Sequence, residues 1–407
     1  MPLRAGGRNG GGANKLQRAG AGRGHDPAFV GQRVFLACFL LSLSLLPLFA
    51  FAEDPQDEVL RSFDDPMGDP VRLSGTARRF ELRNPAGADV VASFDRTVYA
   101  FLHAYVPGAV FFGLSPLPGG GSLSGEISGF KAGTMYHLHE DGQSGPSLLA
   151  DEHGKVRFTV ELPRRKFLWI SPTPGTQHIS VNTTLTADSI EPIVIDADNV
   201  VLDGGGFALR VGTATPAIFA AGRRGLEIRN FREIASGAVG VWLAGCADSR
   251  VEDITFLAPA STGVQLVECT DSAISRCAVR GGAQGLGVWG SLRTRLTGNS
   301  TDDAVAYGLY HQYSTDTVLR DNDFRATTRG VAYLATVVEH YRFDFDSSNR
   351  VQGLPGFYRF GVLGGVLEIP ETHHVLLANC SDTVVRNAAL DGTDPVLFVY
   401  GSGVVVE

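Results

Sequence analysis

Three sets of residues keep the same step along the second half of the chain. Ile228, Val251, Ile274, Leu296 and Leu319 are separated by 23, 23, 22 and 23 positions. Three residues later in each unit stand Phe231, Ile254, Cys277, Asn299 and Asn322. A glycine followed by an aliphatic residue repeats as well: Gly240-Val241, Gly263-Val264, Gly285-Leu286, Gly308-Leu309 and Gly330-Val331. A helix pair needs about 30 residues or more per unit and a 3.6-residue periodicity that is absent here. Short strands joined by tight turns, at this period, make one coil of a right-handed parallel β-helix. Coils of that kind stack ~4.8 Å apart through parallel backbone hydrogen bonds, so like residues fall above like. The aliphatic column then supplies the core. Asn299 and Asn322 are expected to stack at a bend, with amides bonding along the column.

The predicted fold class is therefore all-β: a parallel β-helix over residues 176–407, preceded by a small antiparallel β-sandwich over 70–175. Within the sandwich, Val98–Val106 is strand-like. Met135–His139 alternates and ends at Asp141-Gly142. Asp151–Gly154 is expected to be a hairpin turn between Ser147–Ala150 and Lys155–Val160. Fifty glycines without a Gly-X-Y period fit turn-rich β structure and exclude collagen. Residues 53–69 are acidic, carry two prolines and are expected to be a linker.

The N-terminus is a targeting segment. Six basic residues precede Val34–Ala52 (VFLACFLLSLSLLPLFAFA), an uncharged run that ends Ala-Phe-Ala. That pattern is expected of a cleaved signal peptide in residues 1–52, the alternative being an uncleaved membrane anchor. The expected localisation is secreted, periplasmic or cell-surface. Cleavage would leave 29 basic and 42 acidic residues, a net charge of −13 against −8 for the whole chain. Such a chain is a poor partner for nucleic acid. Five cysteines do not make a disulfide framework. Cys246 and Cys269 lie 23 residues apart and Cys380 has a similar context. In-register stacking is poor disulfide geometry, so a buried thiol ladder is expected.

Candidate sites follow from the repeat. Alternation sends Val241, Val264, Leu286, Leu309 and Val331 inward. It sends Trp242, Gln265, Trp289, Tyr310 and Gln312 outward. Rings and amides on a flat sheet suit sugars, so these five are the expected ligand-binding residues, unless a loop or the N-terminal domain covers them. His311 falls inward and is expected to be a hydrogen-bonded core histidine. Asp302 and Asp303 are weak candidates for the carboxylate pair of a glycoside hydrolase, and otherwise turn residues. Glu339, His340, Tyr341 and Arg342, near Asp344 and Asp346, interrupt the repeat and offer the residue types of a polysaccharide lyase, for which Ca²⁺ would be the cofactor. No other cofactor is expected. His137 and His139 share a strand face, with His153 in the nearby turn. No fourth ligand is evident, so no metal site is assigned. The chain ends in mid-strand at Val404–Glu407, so either it is truncated or its last coil is expected to be covered.

The segments Ile179–Asp188 (ISVNTTLTAD), Ile195–Gly206 (IDADNVVLDGGG), Asn349–Pro355 (NRVQGLP) and Val375–Val385 (VLLANCSDTVV) resemble the β-helix domain of NosD-type proteins. That group overlaps the carbohydrate-binding and sugar-hydrolase β-helix repeats. The resemblance covers residues 176–407 and implies a right-handed parallel β-helix in an exported protein. It brings no invariant catalytic motif. The family's copper-maturation role fits poorly, since after the leader only Met67 and Met135 remain. The expected function is a non-catalytic surface for carbohydrate or another cell-envelope component. The alternatives are a lyase or hydrolase on an acidic glycan, and a structural protein with a protein partner.

Overall fold

Apolar residues at period two on short strands can be buried only if coil stacks upon coil, and the backbone follows that demand. The computed structural model describes residues 59–61, 72–83 and 88–406, apart from 105, 119, 173–174, 212–214, 237, 370–371, 373 and 388–395. The expected targeting segment and most of the acidic linker lie outside the described residues. From Gln177 the chain winds as a right-handed parallel β-helix with three sheets. Sheet I holds eight strands from Gln177–Ile179 to Arg329–Leu334, and sheet II eight from Thr183–Thr184 to Phe343–Phe345. Sheet III starts at Ala208–Val211 and reaches Arg350–Val351 at the end of the regular coils.

Leu202, Ile228, Val251, Ile274, Leu296 and Leu319 are successive Cα partners in sheet II. Each is fully buried, and together they make one interior column. Asn299 and Asn322 also stack, and Asn349 continues their column. The Asn299 backbone N–H donates to Asn322 Oδ1 at 3.0 Å, and the Asn322 N–H to Asn349 Oδ1 at 3.2 Å. The Asn322 side-chain amide donates onward to Leu296 O at 2.8 Å. Each amide thus satisfies backbone groups that a buried bend would otherwise strand. Cys277 heads the same column, its N–H donating to Asn299 Oδ1 at 3.0 Å. Cys246, Cys269, Cys277 and Cys380 are buried free thiols.

The repeat glycines mark the bend that enters sheet I. A Cβ on Gly285 would lie 2.2 Å from Thr301 Cγ2 and 2.5 Å from the carbonyl of Gly308, the next glycine of the column. Nothing larger than hydrogen fits there. At another bend, Asn230, Asp253, Arg276 and Asp321 hold positive φ near 50–57°. Asn and Asp tolerate that conformation better than other side chains.

The N-terminal domain is a nine-stranded sheet wrapped around an apolar core. The long strand Val90–His103 makes this possible. Its first half pairs with Ser122–Ile127 and its second half with Val110–Ser115. The hairpin turn is Asp141-Gly142, with φ of 50° and 93°, joining Met135–Glu140 to Gln143–Leu149. Asp151–Gly154 is not a hairpin turn. Its flanking strands pair elsewhere, because the Asp151 carboxylate accepts the N–H groups of His153 and Lys155 and sends the chain toward Ser122–Ile127.

One feature departs from the expected single winding to residue 407. Gln352 and Gly353, both at positive φ, turn the chain back, so that Leu354–Phe360 runs antiparallel to Arg350–Val351. His374–Ser381 and Val396–Ser402 follow parallel to that reversed strand. One face of this sheet carries a second small core of Phe357, Val375 and Leu377, joined by Val385. The sheet's other face, with Tyr358, Leu376 and Ala378, continues the main core.

The asparagine column yields a prediction. Asn322→Leu keeps volume but leaves the groups bonded to the amide unmatched. The expected cost is roughly 2–5 kcal/mol, at 1–3 kcal/mol for each stranded group. It is read as a lower denaturant midpoint at unchanged m-value.

Candidate functional site

Sheet I sends alternate side chains outward, and what lies over them decides what they can do. Trp242, Gln265, Trp289, Tyr310 and Gln312 all leave the interior, but none is exposed. Their relative exposures run from 1% to 6%. The N-terminal domain covers them. Phe101 sits 4.5 Å from Trp289, Phe111 5.6 Å from Trp242, and Trp169 4.9 Å from Phe219, ring centre to ring centre. Further along, the Arg72 guanidinium lies 4.4 Å above the Tyr310 ring, and its Nη2 donates to Gln284 Oε1 at 2.5 Å. His103 Nε2 and Ser261 Oγ are 3.2 Å apart. Arg165 pairs with Glu268 at the rim, and Gln143 Nε2 donates to Asp196 Oδ1 at 2.9 Å. The expectation of an open aromatic strip is therefore corrected. Alternation gives the direction of a side chain but not what docks upon it.

The histidines of the N-terminal domain are dispersed. His137 Nδ1 and Ser147 Oγ are 3.2 Å apart, and exposed His153 lies beside Glu152. His139 is buried, stacked on Trp169 at 4.6 Å. Among the described residues no group of three or more His, Cys, Asp or Glu is placed to hold a metal.

Glu339, His340, Tyr341 and Arg342 do not converge. They form a short 3₁₀ turn, Val338–Tyr341, and its exit. Tyr341 points into the core and accepts the Tyr358 hydroxyl at its carbonyl. Arg342 is paired with Asp316 at 2.8 Å. Arg320 holds Asp344 and Asp346. His340 packs 5.6 Å from Tyr313, and burial lowers its pKa. Glu339 stays exposed. Arg342, the cation expected to serve a lyase here, is engaged in that ion pair with Asp316.

The exposed outer face of the helix is mostly zipped by ion pairs between coils. Arg276 bonds Asp253 at 2.6 Å and Arg293 bonds Asp271 at 2.7 Å. Those hydrogen bonds hold both carboxyls below their ordinary range. Asp302, Asp303 and Arg280 stand outside this pattern, as do the exposed Arg295 and Asp321. Asp302, Asp303 and Arg280 are all exposed, and none forms an ion pair with a described residue. They lie on sheet III, where Arg280 is the Cα partner of Asp302. Between the pairs Thr301–Phe324 and Ala304–Ala326, two residues, Asp302 and Asp303, oppose the single Arg325, so the strand bulges. Asp303 takes up the extra residue at φ 55°. A bulge re-aims side chains at a sheet edge. On the next coil Arg325 bonds Asp323 Oδ2 at 2.7 Å, while Asp323 Oδ1 is buried and unmatched among the described residues. Two guanidiniums and three carboxylates thus share one rigid patch. The sequence offered Asp302 and Asp303 but not the bulge, nor Arg280 beside them, which only the strand pairing reveals.

A family comparison agrees with the fold. Residues 216–339 match the family model described as the right-handed beta helix region. No curated protein matches the chain. Among solved structures, the catalytic domain of a GH87 alpha-1,3-glucanase in complex with nigerose matches with 10% identity and a TM-score of 0.26, covering 82% of this chain and 93% of its own. The catalytic unit of the thermostable GH87 alpha-1,3-glucanase from Streptomyces thermodiastaticus strain HF3-3 matches with 11% identity and a TM-score of 0.22, covering 83% and 97%.

Buried histidines predict an acid limit to the fold. His311 lies inside the coils, its Nε2 2.9 Å from Thr317 Oγ1, and burial pushes its pKa down to about 3. Burial, helped by Arg329, pushes His374 down to about 4. Unfolding restores both to about 6.5. The unfolded chain therefore binds more protons below that pH. Stability is full above about pH 6.5 and falls toward pH 4, by roughly 1.4 kcal/mol per pH unit for each histidine. Replacing His311 by Gln should flatten that slope in denaturant titrations across pH 4–7.

Proposed function

We propose that this chain is an exported, non-catalytic β-helix protein that presents a rigid polar patch to a polysaccharide or another cell-envelope component. The observation that carries the reading is the exposure of Arg280, Asp302 and Asp303 without ion-pair partners among the described residues, on a sheet whose other exposed charges include the paired Arg210–Glu233 and Arg325–Asp323. A guanidinium offers a planar fork to a carboxylate or to neighbouring hydroxyls. A carboxylate accepts from sugar hydroxyls. Placement on stacked coils fixes the spacing of these groups before a ligand arrives, which lowers the ordering cost of binding. Export rests on the basic leader and the Ala-Phe-Ala ending of the apolar run. The finer kinship with NosD-type proteins rests on the sequence segments that resemble them.

A hydrolase acting on an acidic glycan is the second reading, favoured by two adjacent carboxylates on a bulge. Against it, a general acid needs an apolar enclosure to stay protonated at neutral pH. Asp302 and Asp303 are both solvent-exposed.

Affinity electrophoresis through gels containing single polysaccharides tests the reading. Arg280→Ala with Asp302→Ala should weaken retention on the bound polymer by about tenfold or more, the loss of one charge-assisted contact. No polymer should gain reducing ends or unsaturated uronates. Release of either would replace the binding reading with the enzymatic one. Absence of retention on every polymer would favour a protein partner.

A further inference from the structure

The covered face of sheet I holds buried polar groups among its rings. Inside the coils Asn299, Asn322, Asn349, Thr294 and Thr317 all find hydrogen-bond partners. Beneath the N-terminal domain, Trp169 Nε1, Trp242 Nε1, Arg165 Nε and Gln312 Oε1 are buried and matched by no described residue. Trp242 and Gln312 belong to the helix, Trp169 and Arg165 to the domain above. Buried donors and acceptors left unspent are rare in native cores and call for a physical reason. Around them stand the flat faces of Phe111, Phe167, Trp169, Phe219 and Trp242. Ring faces, N–H donors and an amide oxygen together match one chemistry, the pyranose ring with its C–H face and rim of hydroxyls.

We propose that this face is a masked oligosaccharide site, and that the N-terminal domain is its lid. The lid is held by its ring contacts with sheet I and, at the rim, by the Arg165–Glu268 ion pair and the Gln143–Asp196 hydrogen bond. The closed face leaves no room for a sugar; on opening, a sugar satisfies the unspent groups and exchanges ring–ring contacts for ring–sugar contacts. The closed state competes with the ligand, so the apparent affinity is the intrinsic one reduced by the open fraction. This inference shares its ligand class with the bulge on sheet III but uses different residues.

The chain reports on the site directly, because its three tryptophans are Trp169, Trp242 and Trp289, all in this cluster. The full chain is titrated with cello-, xylo-, laminari- and galacturono-oligosaccharides while tryptophan emission and its quenching by acrylamide are recorded. At least one series should change both. Glu268→Ala removes a rim ion pair and should tighten that apparent binding by about two- to fivefold. A site on an exposed surface gives no such gain. The spectral change should survive in Arg280→Ala/Asp302→Ala. Oligosaccharide binding that leaves the tryptophans unchanged overturns the lid and spares the bulge. An unchanged affinity in Glu268→Ala, or no tryptophan response to any series, also overturns it.

Discussion

Parallel hydrogen bonding between successive coils is the constraint on which everything else in this molecule rests. Each coil must present its backbone N–H and C=O groups to the next at one fixed spacing. Any residue therefore meets its counterpart one coil away. Identical or compatible side chains gain from this arrangement, and the columns of leucine and isoleucine, asparagine and glycine are the result. The same rule places charges. Arg276 and Arg293, at turns between strands, reach the carboxylates of Asp253 and Asp271 one coil back.

Departures from the rule are where chemistry can enter. One extra residue at Asp303 breaks the pairing of sheet III and leaves two carboxylates and a guanidinium outside the ion-pair pattern. The insertion at 335–342 looks similar in sequence but serves the core instead, since Tyr341 and Phe343 fill the end of the helix. Sheet I departs in a third way. Its outer face is so aromatic that it needs cover, and the N-terminal domain supplies Phe101, Phe111, Phe167 and Trp169 to match.

The winding of the helix was legible in the sequence because period, alternation and register are all local arithmetic on residues such as Ile228, Val251 and Ile274. The inward place of His311 followed from the same counting. The cover over Trp242 and Tyr310 was not legible, because docking depends on the shape of a second domain that no periodicity encodes. The bulge at Asp303 was hidden because a one-residue excess looks like the normal alternation between 22 and 23. The reversal at Gln352-Gly353 carries a turn signal that is weak alone: glycine tolerates positive φ readily, but glutamine seldom adopts it. Asp141-Gly142 carried a clear turn signal. Asp151–Gly154 carried a similar one and led elsewhere, because its carboxylate closes the turn on its own backbone.

The claim that counterparts one coil apart are vertical neighbours has a direct test in solution. Ser275 and Thr297 are Cα partners on the outer face of sheet II. Nitroxide labels on Ser275→Cys and Thr297→Cys should show strong dipolar broadening, as expected for backbones roughly 5 Å apart. Labels on Glu252→Cys and Thr297→Cys, two coils apart, should broaden much less. Equal spectra for the two pairs, or no broadening in the first, would contradict the stacked register from which every site described above was derived.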